Sequence, residues 1–282
     1  MTAKGKITIP IIQGKKESRT PVVVITAYDY PGARLVDDAG ADIILVGDSL
    51  AMTVLGHKST VSLTMEEMLH HCKAVSRGAE KAFLVGDMPF LSYQVDHAES
   101  IRNAGRLIKE AGMDGVKLEG GSRSLKHIKA ILGAGIPVMG HLGLTPQTAT
   151  LLGGYKVQGK TSEAASIMLE DALALEAAGV FALVLEAVPA EIAQEITSRL
   201  KIPVIGIGAG PHCSGQVLVF HDMLGLYYGE LPRFVKQYAD AGSTILDALR
   251  AFADEVRTGL FPAIEHSFNM DEKELKKFRD EI

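Results

Sequence analysis

The sequence predicts an α/β fold, specifically a (β/α)8 or TIM barrel, and three observations lead to that prediction. Short apolar runs rich in β-branched residues recur along the 282-residue chain. The runs are continuous rather than alternating in polarity, which is typical of parallel strands buried on both faces. Helix-like segments lie between most of the runs, and strand followed by helix, about eight times over, is the pattern of this barrel.

Eight apolar runs are the predicted strands, and most of them end in glycine or in a polar residue. They span residues 22–29, 41–48, 82–89, 115–120, 137–143, 181–188, 203–210 and 216–224. Only a few residues separate the seventh run from the eighth, so the barrel pattern fits poorly at that step. The alternative is a doubly wound open sheet, which normally shows a glycine-rich dinucleotide loop near its first strand, and none is present there.

The segments between the runs contain helix signals. Thr64 and Glu67 form a capping-box pattern at the start of one helix, and Gly179 is placed to end another. The predicted helices span residues 65–80, 96–111, 124–132, 162–178 and 190–200. A further helix at residues 240–257 would follow the eighth strand and complete the ring.

Length and composition limit the domain organisation and the class of function. We expect a single domain over residues 1–282, with a short N-terminal arm and a C-terminal helical extension at about 258–282. The formal net charge of −5 gives no general attraction to nucleic acid, which requires a basic surface. No run approaches the ~20 apolar residues of a membrane span, and no signal peptide is visible. Cys72 and Cys213, without a CxxC motif, favour a cytoplasmic location.

Ionisable residues end nearly every predicted strand, and the C-terminal ends of the strands form the active site in barrels of this kind. Carboxylates that converge with one lysine and one histidine predict a cation site, and their oxygens suit Mg²⁺ or Mn²⁺ better than Zn²⁺. The polar residues at the strand ends are Asp29, Asp48, Ser49, Asp87, Lys117, Glu119, His141, Glu186 and Asp222.

Four of these residues form two pairs, and each pair also has a purely structural interpretation. Asp48 and Asp87 end sister Gly-Asp motifs on neighbouring strands, which favours a shared cation, although either could cap a helix. Lys117 and Glu119 lie two residues apart and therefore share one face of a strand. Charges on that inward face are costly unless they are paired or bound to a metal, so the alternative is an ion pair that only holds the barrel together.

The other strand ends give weaker signals. Glu186 follows an apolar run, which suits a general base, but it could instead form an internal salt bridge. His141 begins a long polar connection and could be structural. Asp29 and Asp222 are at least as well explained by capping or loop roles. The GIGAG turn at residues 206–210 resembles a phosphate-binding loop, but a tight turn is the better interpretation.

Together these motifs resemble the ketopantoate hydroxymethyltransferase family. The resemblance extends over residues 7–268 and rests on several strings in this order: TAYDYPGARLVDDAGADIILVGDSLAMTVLGH, FLVGDMPFLSYQ, GVKLEGG, VMGHLGLTPQ, GGYKVQGK, LVLEAVP and IPVIGIGAG. It implies a barrel of the phosphoenolpyruvate-mutase and pyruvate-kinase-like type, assembled as a homodecamer from five dimers. The implied reaction transfers a hydroxymethyl group from 5,10-methylenetetrahydrofolate to 3-methyl-2-oxobutanoate, giving 2-dehydropantoate, the first committed step towards pantothenate and coenzyme A.

The resemblance also implies roles for individual residues. Asp48 and Asp87 would be ligands of one Mg²⁺ per subunit, and Glu119 would complete the metal site directly or through water. Glu186 would accept the proton that the keto acid loses, so that a metal-stabilised enolate forms. The residues implied to contact the keto acid are Asp48, Ser49, Asp87, Lys117 and His141.

Two further points depend on this family resemblance. The connection at residues 141–161, with Lys156 and Lys160, is a candidate wall or lid for the anionic folate. The rival enzyme class on the same barrel is a Mg²⁺-dependent lyase or mutase of 2-oxo acids, in which a loop of the KxCG kind normally carries a cysteine. Neither Cys72 nor Cys213 lies in such a loop.

A non-catalytic role would predict the loss of some site carboxylates, and Asp48, Asp87, Glu119 and Glu186 are all present.

Overall fold

The predicted barrel is confirmed. In the computed structural model, which describes residues 5–282, eight parallel strands pair in sequence order and the first strand pairs with the last, closing the barrel. The strands are β1 Val22–Thr26, β2 Ile43–Val46, β3 Phe83–Asp87, β4 Gly115–Glu119, β5 Val138–Gly143, β6 Ala182–Glu186, β7 Val204–Ile207 and β8 Gly215–Leu218.

Most connections between the strands contain a helix, and the predicted helices all form. The helices are α1 Ile9–Glu17, α2 Tyr30–Asp38, α3 Leu50–Thr53, α4 Met65–Gly78, α5 His97–Lys109, α6 Leu125–Gly133, α7 Ser162–Ala178, α8 Ala190–Arg199, α9 Phe220–Met223, α10 Ala241–Thr258 and α11 Glu272–Glu281. Helix α4 begins with the predicted capping box between Thr64 and Glu67, and α7 ends at Gly179 with φ +102°. None of the described helices combines the length and the apolar character that crossing a bilayer requires.

The strand register explains why one set of side chains points into the barrel. Successive side chains on a strand face opposite sides, so residues two apart share the barrel interior. Val85 and Asp87 therefore point inwards from β3, and Met139 and His141 point inwards from β5. Val85 and Met139, the first residue of each pair, are buried in the apolar barrel interior. The interior thus changes from apolar to charged towards the C-terminal ends of the strands.

Part of the predicted N-terminal arm packs against the barrel. Residues 1–4 of the arm lie outside the described residues, but Ile7 and Ile12 are buried in the same apolar cluster as the barrel interior. Lys15 adds an ion pair of 2.6 Å to Asp42. The segment therefore closes the N-terminal end of the barrel, because an apolar interior left open there would be exposed to water.

The last part of the predicted ring differs from expectation. No helix lies between β7 and β8 in the described structure, which explains the short spacing noted in the sequence. Helix α10 forms where it was predicted, but none of its residues is buried against the described part of the chain, so it does not complete the ring. Its apolar side chains remain exposed on one face, at Ile245, Leu249, Phe252 and Val256.

Candidate active site

A single cavity at the C-terminal end of the barrel collects most of the predicted site residues. Its volume of about 600 Å³ is within the range of about 300–1,000 Å³ that is typical of small-molecule sites. The residues from the prediction that line it are Asp48, Ser49, Asp87, Lys117, His141, Glu186 and Asp222. Glu119 lies just below, in contact with His141, and Asp29 lies outside the cavity.

Lys117 and Asp87 form a buried ion pair across two adjacent strands. The register pairs the two residues directly, and Lys117 Nζ donates a hydrogen bond of 2.5 Å to Asp87 Oδ2. Burial would lower the pKa of Lys117, but the surrounding carboxylates, Asp87 first among them, outweigh burial and raise it. Lys117 therefore remains positively charged inside the barrel.

Asp48 lies beside Asp87, as the sister motifs predicted. The backbone N–H of Asp48 donates to Asp87 Oδ2 over 3.2 Å. Burial raises the pKa of Asp87 to about 6, and the negative charge of Asp48 adds to this rise. Two carboxylates held together in this way attract a cation.

His141 links two carboxylates on neighbouring strands. Its Nδ1 lies 3.5 Å from Glu119 Oε1, and its Nε2 lies 3.3 Å from Glu186 Oε2. Both contacts are ion-pair distances that lack the alignment of a hydrogen bond. His141 is a direct register partner of Glu119, and Glu186 ends the next strand, β6. The imidazole therefore lies between the candidate base and the candidate metal region.

The charges of this group are set by burial and by mutual contact. Burial and nearby Lys117 lower the pKa of His141, but the contacts with the two glutamates outweigh them and raise it to about 9. Burial raises the pKa of Glu119 to about 7. At neutral pH the imidazole of His141 is thus protonated. It can stabilise a neighbouring carboxylate by its positive charge, but it cannot itself accept a proton.

Gln147 is a polar residue of the site that the sequence reasoning missed. It lies in the short 3-10 turn Pro146–Thr148, and its Nε2 donates to Asp48 Oδ2 at 3.1 Å and to the Met88 carbonyl at 2.9 Å. Its backbone N–H donates to Glu119 Oε2 at 3.1 Å. Gln147 therefore fixes two of the three predicted metal ligands. The only available signal was its position in the long connection after His141.

Several weaker predictions are resolved by the geometry. Asp29 caps helix α2, accepting a 2.7 Å hydrogen bond from the Gly32 N–H. In the GIGAG turn, Gly208 and Gly210 have φ of +63° and +77°, as expected of a tight turn. Ser49 Oγ lies in the cavity, 2.7 Å from the Tyr28 hydroxyl. Of the two lysines of the long connection, Lys156 lines the cavity and Lys160 does not.

The donor set suits a divalent cation, provided that some ligands come from elsewhere. Among residues 5–282, no group of three or more His, Cys, Asp or Glu side chains is arranged to hold a metal ion on its own. However, Asp87 Oδ1 and Glu119 Oε1 are both buried without a hydrogen-bond partner in the described structure. Unsatisfied buried oxygens beside a second carboxylate fit a cation held by Asp48 and Asp87, with substrate or water oxygens completing its coordination.

Comparison with solved structures places the barrel among known folds. A phosphonopyruvate hydrolase solved with oxalate and Mg²⁺ superposes with a TM-score of 0.60 at 13% identity, covering 97% of this chain and 95% of that chain. A 2,3-dimethylmalate lyase, a member of the PEP mutase/isocitrate lyase superfamily, gives 0.59 at 15% identity, with coverage of 94% and 92%. At such low identity these similarities show the fold alone, and they agree with the predicted (β/α)8 barrel.

Comparison with sequences is far more specific. A 3-methyl-2-oxobutanoate hydroxymethyltransferase of Heliobacterium modesticaldum is 58% identical over 95% of this chain and 97% of the relative. The enzyme of that name from Moorella thermoacetica is 55% identical over 95% of this chain and 100% of the relative. The family model for ketopantoate hydroxymethyltransferase matches residues 6–264. The chain therefore belongs to the ketopantoate hydroxymethyltransferase family of one-carbon transferases.

Proposed function

We propose that this enzyme transfers a hydroxymethyl group from 5,10-methylenetetrahydrofolate to 3-methyl-2-oxobutanoate, giving 2-dehydropantoate, the first committed step towards pantothenate and coenzyme A. One observation carries the proposal. A single cavity holds a buried lysine–aspartate pair, a second aspartate beside it, and a glutamate that is 3.3 Å from a protonated histidine. A small keto acid needs this combination of cationic groups for its oxygens and a carboxylate for its C–H proton.

We assign the metal site to Asp48 and Asp87, with Glu119 as a third ligand directly or through water, and one Mg²⁺ per subunit. The unsatisfied oxygens of Asp87 and Glu119 support this assignment. When bound, Mg²⁺ would supply Lewis-acid polarisation of the keto acid, which makes the neighbouring C–H bond more acidic. Oxygen ligands of this kind are those that Mg²⁺ prefers.

Lys117 and Ser49 bind the carboxylate of the keto acid in this proposal. Lys117 is buried and charged. Its charge therefore attracts the substrate carboxylate strongly, because little water is present to weaken the interaction. Ser49 presents a hydroxyl whose other contact, the Tyr28 hydroxyl, fixes its position. Together the two residues set the orientation of the substrate.

Glu186 accepts the C3 proton, and His141 positions it. Glu186 ends β6 with its side chain only 17% exposed, at the cavity wall. The cationic imidazole of His141 holds the carboxylate of Glu186 by charge, and in this proposal it also donates a hydrogen bond to the new hydroxymethyl group. The enolate carbon then forms a C–C bond to the one-carbon unit, and the two C–N bonds that joined this unit to the folate break. Water supplies the hydroxyl group, and the two folate nitrogens take up the proton that Glu186 removed and the second proton of the water.

Product formation tests this proposal directly. Incubation of the purified protein with 3-methyl-2-oxobutanoate, ¹³C-labelled methylenetetrahydrofolate and Mg²⁺ should give labelled 2-dehydropantoate, detected by mass spectrometry. The Glu186→Gln variant should form little product. A wild-type protein that forms no labelled product would refute the proposed reaction, and a fully active Glu186→Gln variant would remove Glu186 as the base.

The remaining proposals concern organisation. We propose that residues 1–282 form one domain, with an N-terminal arm and a C-terminal extension from about 258, in a cytoplasmic enzyme. The two free cysteines support that location. We also propose the homodecamer of the family, built from five dimers. The exposed apolar face of α10 supports burial against a second copy, and light scattering of the eluted protein would measure the assembly.

A further inference from the structure

The reaction described above leaves one buried carboxylate of the cavity unused. Asp222 follows β8, in the short helix α9, and is 8% exposed. Its Oδ1 is buried without a hydrogen-bond partner in the described part of the chain. Burial raises the pKa of this carboxyl to about 6. A buried acceptor that is left unsatisfied costs stability, so a structural role gives no reason for its presence.

The local fold does not depend on the Asp222 side chain. Helix α9 is seated on β1 by the Phe220 N–H, which donates 2.9 Å to Thr26 Oγ1. The Asp222 backbone carbonyl, not its carboxylate, accepts from the Gly225 N–H. The expectation that Asp222 serves as a capping or loop residue is therefore not supported, since the carboxylate faces the cavity instead.

Asp222 lies on the side of the barrel opposite Lys117, one of the proposed keto-acid contacts. Strand β8 lies across the closed barrel from β4, which carries Lys117. The keto acid, held by Lys117 and the aspartate pair, is small compared with a cavity of about 600 Å³. The β8 side therefore has room for the second reactant.

The walls on this side suit a flat ring. Val217 and Val219 contribute apolar surface, and the aromatic residues Tyr227 and Phe234 also line the cavity. The ring of Phe234 lies against Gly208 so closely that a Cβ there would be 2.6 Å from it. A planar ligand with N–H groups on one edge would place its faces against these walls and its donors on Asp222.

The rim of the same cavity carries positive charge. Lys156 and Arg233 line it, together with one carboxylate, Glu230. Two cations against one anion favour a ligand whose outer end is negatively charged. The one-carbon donor has both features, because a flat 2-amino-4-oxo ring is joined to an anionic glutamyl tail.

We propose that Asp222 anchors the ring of the one-carbon donor, accepting hydrogen bonds from its ring N–H and its 2-amino group, while the glutamyl tail extends towards Lys156 and Arg233. The ring N–H and the 2-amino N–H are parallel hydrogen-bond donors. They match the two oxygens of one carboxylate, as the paired N–H groups of a guanidinium do. This inference rests on the proposed function and adds to it the residue that selects the donor.

Binding of tetrahydrofolate alone tests the proposal. Calorimetric titration should give a Kd about 10–100-fold higher for Asp222→Asn than for the wild type, because hydrogen bonds to a charged acceptor are lost. The matched control is Asp29→Asn, another strand-end carboxylate, which lies outside the cavity and still caps α2 as asparagine. Its Kd should equal that of the wild type. An unchanged Kd in Asp222→Asn would overturn the assignment.

Two further readouts separate this inference from other outcomes. Metal-dependent exchange of the C3 proton of the keto acid in D₂O needs no folate, so Asp222→Asn should retain it within about twofold. Its Tm should be equal to or above that of the wild type, because an unsatisfied buried charge is replaced by a neutral amide. A lowered Tm together with lost exchange would indicate a structural role and overturn the proposal. Absence of exchange in the wild type would instead refute the proposed function.

Discussion

His141 offers the most quantitative prediction, because its contacts with Glu119 and Glu186 raise its pKa from 6.5 to about 9. A difference of one pKa unit between the unfolded and the folded state corresponds to about 1.4 kcal/mol, so this rise corresponds to about 3 kcal/mol of folding free energy. A raised pKa stabilises the folded state fully below the unfolded value of about 6.5. The contribution then decreases as the pH rises and is lost above about 9. His141→Gln should therefore be destabilised at pH 6 and much less so at pH 9.5.

Thermal unfolding in the presence of a chelator would measure this effect. For a chain of this size, about 3 kcal/mol should lower the Tm of His141→Gln by about 6–10 °C at pH 6. The matched control is His70→Gln, since His70 is exposed on helix α4 and should show little change at either pH. A Tm difference between the wild type and His141→Gln that is the same at pH 6 and pH 9.5 would refute the reasoning.

Three other perturbations have specific expected outcomes. Gln147→Leu removes the hydrogen bonds that fix Asp48 and should weaken Mg²⁺ binding by about 10–100-fold, measured by titration of activity with the metal; wild-type affinity would show that Gln147 does not position the ligand. Asp29→Ala should lower the unfolding free energy by about 1 kcal/mol in urea titrations, with kcat unchanged; a loss of kcat at full stability would contradict a capping role. Chelation of the metal should abolish product formation and Mg²⁺ should restore it; full activity with excess chelator would argue against the assigned metal site.

Much of the site could be predicted from the sequence because the barrel relates each strand end to its neighbours. Continuous apolar runs identify the strands, and the alternation of side chains then determines which residues point inwards. Lys117 and Glu119 share the inward face for this reason, and Asp87 and His141 are their register partners. The closed parallel sheet brings all four to the same end.

Other features depend on packing that no local pattern contains. Gln147 reaches Asp48 only because the turn at 146–148 folds back over the strand ends, and a polar residue in a long loop gives no such signal. The sequence correctly predicts a helix at residues 240–257, but the expectation that this helix completes the ring is wrong. A helix signal does not indicate what the helix packs against, and within one chain the apolar face of α10 remains exposed.

The central claim is that Glu186 removes the C3 proton of 3-methyl-2-oxobutanoate in a metal-dependent step that does not require the folate. Proton NMR of the keto acid with the enzyme in D₂O measures this step directly. We expect loss of the C3 proton signal with Mg²⁺, no loss with chelator, and no loss in Glu186→Gln, although that variant should still bind the keto acid. Exchange at the wild-type rate in Glu186→Gln, or exchange that is independent of the metal, would contradict the claim.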